Sequence, residues 1–472
     1  MTGLTAIGKF TTALLASALL FAQTPAQRYR VYLEPFPGTL HDELLSALKK
    51  EPRLTIVGAA ADADWVLTAM GEAWVKGHVG SNPRVRYVTA DAQPIYAGYL
   101  SVELKDKQGE TVWSWLSTPR RFDRHDVQKN LAEQVAPKLV AALTAQAEPA
   151  SPAAAAAHPG ERLTAAGATF PWPLYQKWFD AFARNSPGSR IVYSPAGSGA
   201  GIEELRRGEV DFAASDIPLS DDQLATLPVR VRHTPTAVGG VVPIYHVDGV
   251  SRDLRFTPEI LAGIWLGRIH RWDDPLLREA NRGVALPGRD IAVVHRSDSS
   301  GTTFIFTSYL SGVSDAWKSG PGQGATIAWP AGTGASGNES VAELVQKTPD
   351  SIGYVEFIYA LRQQLSYGAV RNRAGHFVQA DLTTLTNAAA GASFSGADLR
   401  VSIVNAPGAQ SYPIAAFTYL LVPEKMADAG KQQTMAAFLR WMLSTGQKQC
   451  ASLGYVALPP KIAERALALI GP

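Results

Sequence analysis

Apolar and polar residues alternate along two separate stretches of this chain, and a Pro/Ala-rich segment divides them. In the first stretch, period-two alternation predicts strands over 28–34 and 63–69. Two more, over 99–104 and 111–115, flank a hairpin turn that carries Gly109. Helical spacing predicts one helix over 40–50 and another over 126–144, with Leu131, Val135, Leu139 and Leu143 on one face. After the divide, strand and helix take turns: strand 162–166, helix 173–185, strand 190–194, helix 201–207, strand 210–214. That order predicts a doubly wound α/β sheet whose ligand contacts gather at the carboxyl ends of its strands.

The dividing segment, 147–160, reads as a semi-rigid linker. It should leave the parts on either side separable. Residues 1–26 read as a cleaved secretory signal: Lys9 gives a basic start, an apolar run follows, and Thr24-Pro25-Ala26 offers small residues for cleavage. The run is short for a bilayer span and has no charged stop, and no cysteine follows it to take a lipid.

Length and composition narrow the classes. At 472 residues the chain needs more than one core, and 46% hydrophobic with 18% charged residues describes a soluble globular protein. A formal net charge of +2 predicts no nucleic-acid surface. Cys450 is the one cysteine, so no intrachain disulfide and no cysteine-based metal site exist, and its thiol is expected to be buried and inert. His41, His78 and His125 are scattered without metal-ligand spacing. No metal or other cofactor is expected, and 27–146 has no legible function.

The chemistry is concentrated after the linker. Ile291-Ala292-Val293-Val294-His295-Arg296-Ser297-Asp298-Ser299-Ser300-Gly301-Thr302-Thr303 runs from an apolar strand through an Arg-x-Asp pair into a Ser-Gly-Thr helix start. A dehydrated oxyanion needs such an arrangement: fixed N–H and hydroxyl donors, a helix N-terminus and one planar cation. Three other loops have the same strand-to-turn design: Gly167-Ala168-Thr169-Phe170-Pro171, Ala196-Gly197-Ser198-Gly199-Ala200-Gly201, and Ala214-Ser215-Asp216-Ile217-Pro218. Any one of them alone would be read as ordinary helix capping.

In order and wording the four loops resemble the phosphate-binding proteins of phosphate-specific ABC transporters, and the resemblance covers 162–472. Val238-Gly239-Gly240-Val241-Val242, Gly263-Ile264-Trp265-Leu266-Gly267-Arg268-Ile269, Trp272-Asp273-Asp274, Phe304-Ile305-Phe306-Thr307-Ser308-Tyr309-Leu310 and Ser351-Ile352-Gly353-Tyr354-Val355-Glu356 extend it. It implies an α/β, two-lobed periplasmic binding protein of type II-like design with a hinge, preceded by a small α/β domain. Lobe I would span about 161–242 and 413–472, lobe II about 243–412, after an accessory domain at 27–146. It also implies a periplasmic monomer that binds inorganic phosphate and delivers it to an ABC permease in the inner membrane. Carried over by motif, Thr169, Phe170 and Ser198 donate to the anion and Asp216 accepts the proton that phosphate still carries. Arg296 clamps the anion, Asp298 holds Arg296, and Ser300, Gly301 and Thr302 donate from the helix start. The same Asp216 would reject sulfate, which has no proton to offer. The chain departs from the usual pattern at His295, Ser299 and Gly199-Ala200, none of which removes a direct donor.

The rival readings are a receptor for another oxyanion and a phosphate sensor or scaffold acting through 27–146. Hydrolase chemistry is weaker. His295, Asp298 and Ser300 supply triad residue types, but no Gly-x-Ser-x-Gly elbow or metal motif accompanies them. The expectation is a binder and not an enzyme. Trp265, Trp272, Trp317 and Trp329 are read as core packing, and Arg206-Arg207 as a solvated helix end.

Overall fold

The computed structural model describes residues 28–79, 93–119, 126–146, 160–250, 252–392 and 398–470. The signal over 1–26, the linker up to 159, His125 and the side chain of His78 lie outside the described residues.

The N-terminal unit is one five-stranded sheet in the order Leu54–Ile56, Tyr29–Leu33, Trp65–Val79, Gln93–Lys105, Thr111–Ser117. The first three strands are parallel and the last two pair antiparallel. Helices Thr39–Lys49, Val127–Glu133 and Val135–Gln146 cover one face. There Val31, Leu67, Leu100, Val102 and Leu104 meet Leu44, Leu131, Leu139 and Leu143 in a core of their own. The single helix expected over 126–144 is two, broken at Gln134. Pro137 is the reason: it lacks an N–H, and its ring would clash with the carbonyl one turn back, at Glu133. The strand expected over 63–69 runs on to Val79, because its alternation continues through Gly71.

The second unit is built on a longer sheet. Its order is Thr333–Ala335, Ala292–Arg296, Ser351–Glu356, Val231–His246, Ala415–Pro423, Phe212–Ser215, Arg162–Gly167, Arg190–Ser194. The strands at each end of this path pair in parallel, as expected for βαβ winding. Antiparallel pairings join the two ends in the middle, so the sheet is mixed and not uniformly doubly wound. The sixteen-residue strand Val231–His246 belongs to both halves. It pairs with Ala415–Pro423 up to Gly240 and with Ser351–Glu356 from Val241 onward. The first half thus holds the strands from Arg162 to Ser215, and the second half those from Ala292 to Glu356. Trp265, Trp272 and Trp317 are fully buried in the shared core, where losing a large ring costs about 3–5 kcal/mol. Cys450 is buried as well, and burial pushes its thiol far above the ordinary range.

The two units are packed together, not merely tethered. The sheet face of the N-terminal unit that carries no helices rests on the second unit, and Leu116 joins the second unit's core. Ser101 Oγ donates to the Ser452 carbonyl at 2.8 Å, Ser114 Oγ donates to the Lys448 carbonyl at 2.5 Å, and Ser452 Oγ donates to Glu103 Oε1 at 2.6 Å. A linker rich in Pro and Ala does not by itself keep two faces apart, and here each face supplies matching polar and apolar groups.

Candidate functional site

Each of the four loops leaves the carboxyl end of a strand, and three of them open a helix. Strand Arg162–Gly167 feeds Thr169, Phe170 and then helix Trp172–Asn185. Strand Arg190–Ser194 feeds Gly197 and helix Ser198–Arg207, which begins three residues earlier than its apolar spacing suggests. Strand Phe212–Ser215 ends at Asp216. Strand Ala292–Arg296 leads to Ser300, the N-cap of helix Gly301–Val313.

These loop ends meet where the two halves close on each other. Gly197 N–H donates to the Gly167 carbonyl at 2.8 Å, joining the first two loops, and Gly199 N–H donates to the Ser299 carbonyl at 3.0 Å, joining the halves. Gly197 must be glycine twice over: its φ is 99°, and a Cβ would stand 2.7 Å from the Asp298 carboxylate. A Cβ on Gly301 would stand 2.4 Å from both Asp216 Oδ2 and Ser198 Oγ. Thr169, Ser198, Asp216, Arg296, Ser300 and Thr302 are all buried.

Ser300 keeps its hydroxyl proton to give: its Oγ accepts the Thr303 N–H at 3.1 Å, and its own N–H goes to the Ala325 carbonyl at 3.0 Å. The first-turn N–H groups of Gly301 and Thr302 have no carbonyl one turn back to bind. Phe170 contributes backbone only, since its carbonyl accepts Tyr455 Oη at 2.6 Å and its ring packs edge-on to Tyr455.

Arg296 is the buried cation. Its Nε donates to Asp298 Oδ1 at 2.7 Å, its Nη2 to Asp298 Oδ2 at 2.5 Å and its Nη1 to Thr302 Oγ1 at 3.2 Å. Asp298 Oδ1 also accepts the Gly337 N–H at 3.1 Å. Burial alone would raise the Asp298 carboxyl, but the Arg296 hydrogen bonds and charge outweigh it and hold the group below the usual carboxylate range. Asp298 is therefore a charged partner to Arg296, with both oxygens taken.

Asp216 behaves in the opposite way. Burial pushes its carboxyl up to about 7, against the pull of Thr418, Arg296 and Ser198. Its Oδ1 accepts from Thr418 Oγ1 at 2.7 Å, and Ser198 Oγ lies 3.4 Å from Oδ2. A carboxyl that titrates near neutrality can share one proton with a tetrahedral oxyanion as acceptor or as donor.

Three contributors escape the motif reading. Thr418 is the one threonine in the apolar strand Ala415–Pro423, and that was its only signal. Tyr359 Oη donates to the Thr169 carbonyl at 2.7 Å. Asn338, fully buried, lies within hydrogen-bond reach of Thr169 and Thr302 together. Both partners are more than thirty positions away in sequence, so spacing gives no hint of it.

The triad residue types do not form a triad. His295 Nδ1 faces the Arg296 carbonyl at 3.0 Å and its ring stacks on Trp329, Asp298 is held by Arg296, and Ser300 caps its helix. Among the described residues no cluster of His, Cys, Asp or Glu could hold a metal ion.

A sheet shared by two halves, with helix starts and strand ends meeting between them, is the arrangement of a substrate-binding protein. The chain belongs to the PBP superfamily, whose domain model matches residues 146–445. Within it, the chain is 41% identical over 306 residues to the phosphate-binding protein PstS of Xylella fastidiosa, covering 64% of this chain and 83% of that protein. It is 37% identical over 307 residues to PstS of Pasteurella multocida, covering 65% and 88% respectively. A solved high-affinity periplasmic phosphate-binding protein (PfluDING), bound with phosphate, shares the fold with a TM-score of 0.53 at 20% identity, over 65% of this chain and 93% of that one.

Proposed function

We propose that this chain is the exported phosphate receptor of an ABC importer: it closes two lobes on inorganic phosphate outside the cytoplasmic membrane and hands it to an inner-membrane permease. One observation carries the reading. Four loop ends supply donors around Arg296, while Asp216 presents a carboxyl that titrates near neutral pH. Thr169, Phe170, Ser198, Ser300, Gly301 and Thr302 donate to phosphate oxygens, Arg296 clamps the anion, and Asp298 fixes the Arg296 fork. Asp216 shares the phosphate proton. In this reading the protein binds and releases phosphate without chemistry.

The lobes follow the division of the sheet: about 161–242 and 413–472 for lobe I, and about 243–412 for lobe II, with 27–146 as an accessory domain and 147–160 as its linker. The receptor works as a periplasmic monomer after loss of its signal. Another oxyanion is disfavoured because a fully deprotonated one would meet the Asp216 carboxylate without a shared proton. Calorimetric titration of the mature chain with phosphate, sulfate and a simple phosphonate tests this. Phosphate should bind at least a thousandfold more tightly than sulfate at pH 8. Equal affinities, or no phosphate binding, would end the reading.

A further inference from the structure

Asn338 is the second residue of helix Gly337–Lys347, and its side chain lies between the two halves. Its Oδ1 accepts the Glu356 backbone N–H at 3.0 Å. A backbone N–H can only donate, so that contact fixes which end of the carboxamide is oxygen. The NH2 end therefore points at Thr169 Oγ1, 2.8 Å away in the first half, and at Thr302 Oγ1, 3.1 Å away in the second. Thr302 Oγ1 also accepts from Arg296 Nη1 at 3.2 Å. A hydroxyl has two lone pairs and one proton. Both lone pairs of Thr302 Oγ1 are filled by N–H groups, so its proton must be donated outward. Thr169 Oγ1 accepts one N–H from the same amide, which takes one of its two lone pairs.

We infer that Asn338 is a positioning residue that sets the polarity of the site: it fixes the Thr302 hydroxyl as a donor to the anion and fills an acceptor position on the Thr169 hydroxyl of the opposite lobe, leaving that proton free for the anion. It would also link closing to binding, because the Thr169 bond exists only when the halves are together. The inference rests on the phosphate-receptor reading. Phosphate titrations of the full mature chain and of Asn338→Asp, between about pH 5 and pH 8.5, test it. Asp keeps the shape and the acceptor for Glu356 N–H, but offers lone pairs to both hydroxyls and turns their protons inward. At about pH 8 the variant should bind phosphate at least ~100-fold more weakly than the parent. The ratio should shrink as pH falls, because the introduced carboxyl regains a proton to donate. A loss that stays constant with pH marks a merely structural role and overturns the inference. If the Asp variant melts far below the parent, Asn338→Ala carries the test, with an expected loss of about tenfold. Affinity within threefold of the parent in either folded variant overturns the inference. A parent that binds no phosphate would instead overturn the receptor reading itself.

A second inference rests on the accessory sheet. On its helix-free face, Glu103 pairs with Lys177 and accepts from Ser452, both in the first half. On the same face, Lys76 pairs with Asp253, and Glu72 Oε2 accepts Gln364 Nε2 at 2.8 Å, both on the side of the second half. Glu72 is register-paired with Tyr99, Glu103 lies further along the same strand as Tyr99, and Lys76 is the extra residue at the register shift between Val75 and Gly77, so one pair of adjoining strands carries all these contacts. It sits beside the crossover between halves: a Cβ on Gly454 would meet Phe357 of the second half at 3.3 Å and Leu116 of the accessory sheet at 3.5 Å.

We propose that the accessory domain braces the closed receptor. It is anchored to the first half by buried Leu116 and released from the second half at Lys76–Asp253 and Glu72–Gln364 when the lobes part. Stopped-flow phosphate release from the full mature chain tests this with Asp253→Asn combined with Gln364→Ala, neither of which lies in the anion loops. The release rate should rise at least threefold with the association rate unchanged, and small-angle scattering of the ligand-free variant should show a larger radius of gyration. The single variant Gln364→Ala carries the test if the pair does not fold. An unchanged release rate in a folded variant overturns the brace.

Discussion

Arg296 and Asp298 meet as a two-point fork, Nε on Oδ1 at 2.7 Å and Nη2 on Oδ2 at 2.5 Å. With Nη1 also donating to Thr302 Oγ1, three of the five guanidinium N–H bonds are committed, and one remains on each of Nη1 and Nη2 for an anion. Arg296→Ala removes those donors and strands a buried carboxylate. Breaking such a pair costs on the order of 3–5 kcal/mol, so phosphate affinity should fall at least a hundredfold by calorimetry. Near-parental affinity would take Arg296 out of the site. Arg296→Lys should recover little, since a point charge cannot hold Asp298 and the anion in one plane.

Asp216 makes sulfate selectivity depend on pH. Its carboxyl sits at about 7, so above that value sulfate must meet a carboxylate, and below it a proton donor. Sulfate affinity of the parent should fall roughly tenfold for each pH unit above 7. Asp216→Asn should abolish that slope and bring sulfate binding into a measurable range. A parent and variant with the same flat profile would place the discrimination elsewhere.

The same carboxyl ties the stability of ligand-free protein to pH. Its folded value of about 7 lies above the ordinary 3.8, so between the two the native state holds a proton that the unfolded chain has released. That contribution is fully present below about pH 4, declines as pH rises, and is lost above about pH 7, a span worth roughly 4 kcal/mol. Ligand-free Asp216→Asn should therefore melt several degrees above the parent at pH 8.5, and the gap should close towards pH 4. Glu356, buried and likewise raised, tilts both proteins alike and drops out of the comparison. A constant gap across pH would contradict the assignment.

Truncation should separate folding from tight holding. A fragment beginning at Gly160 keeps every anion loop but uncovers the apolar surface around Gly454 and Phe357 that Leu116 shields. It should bind phosphate with the same selectivity over sulfate, yet melt lower and release phosphate faster than the full chain. Equal melting temperature and release rate would show that the linker's promise of independence was the whole story.

The anion loops were legible because each is local: a strand, a glycine or serine turn and a helix start are contiguous in the chain, and Arg296 stands two residues from its carboxylate. The expected strands of both units, and the helices that follow them in the second, are in place for the same reason. What stayed hidden is long-range. Thr418 reaches Asp216 from the neighbouring strand, Asn338 reaches Thr169 between the halves, and Ser101 meets Ser452 across the unit boundary. No periodicity encodes such pairs. The broken helix at Gln134 was readable in principle, since Pro137 advertises it, but the continuous leucine face masked the interruption.

The strand Val231–His246 hands its ladder from Ala415–Pro423 to Ser351–Glu356 within a single step, at Gly240 and Val241. The two halves are therefore joined through one continuous strand, and any opening of one against the other loads that strand's hydrogen bonds. A residue there that never approaches the anion can still set how long cargo is kept, in the way a spring's temper sets a latch. Evolution could retune delivery to a faster or slower permease along this strand while leaving recognition untouched.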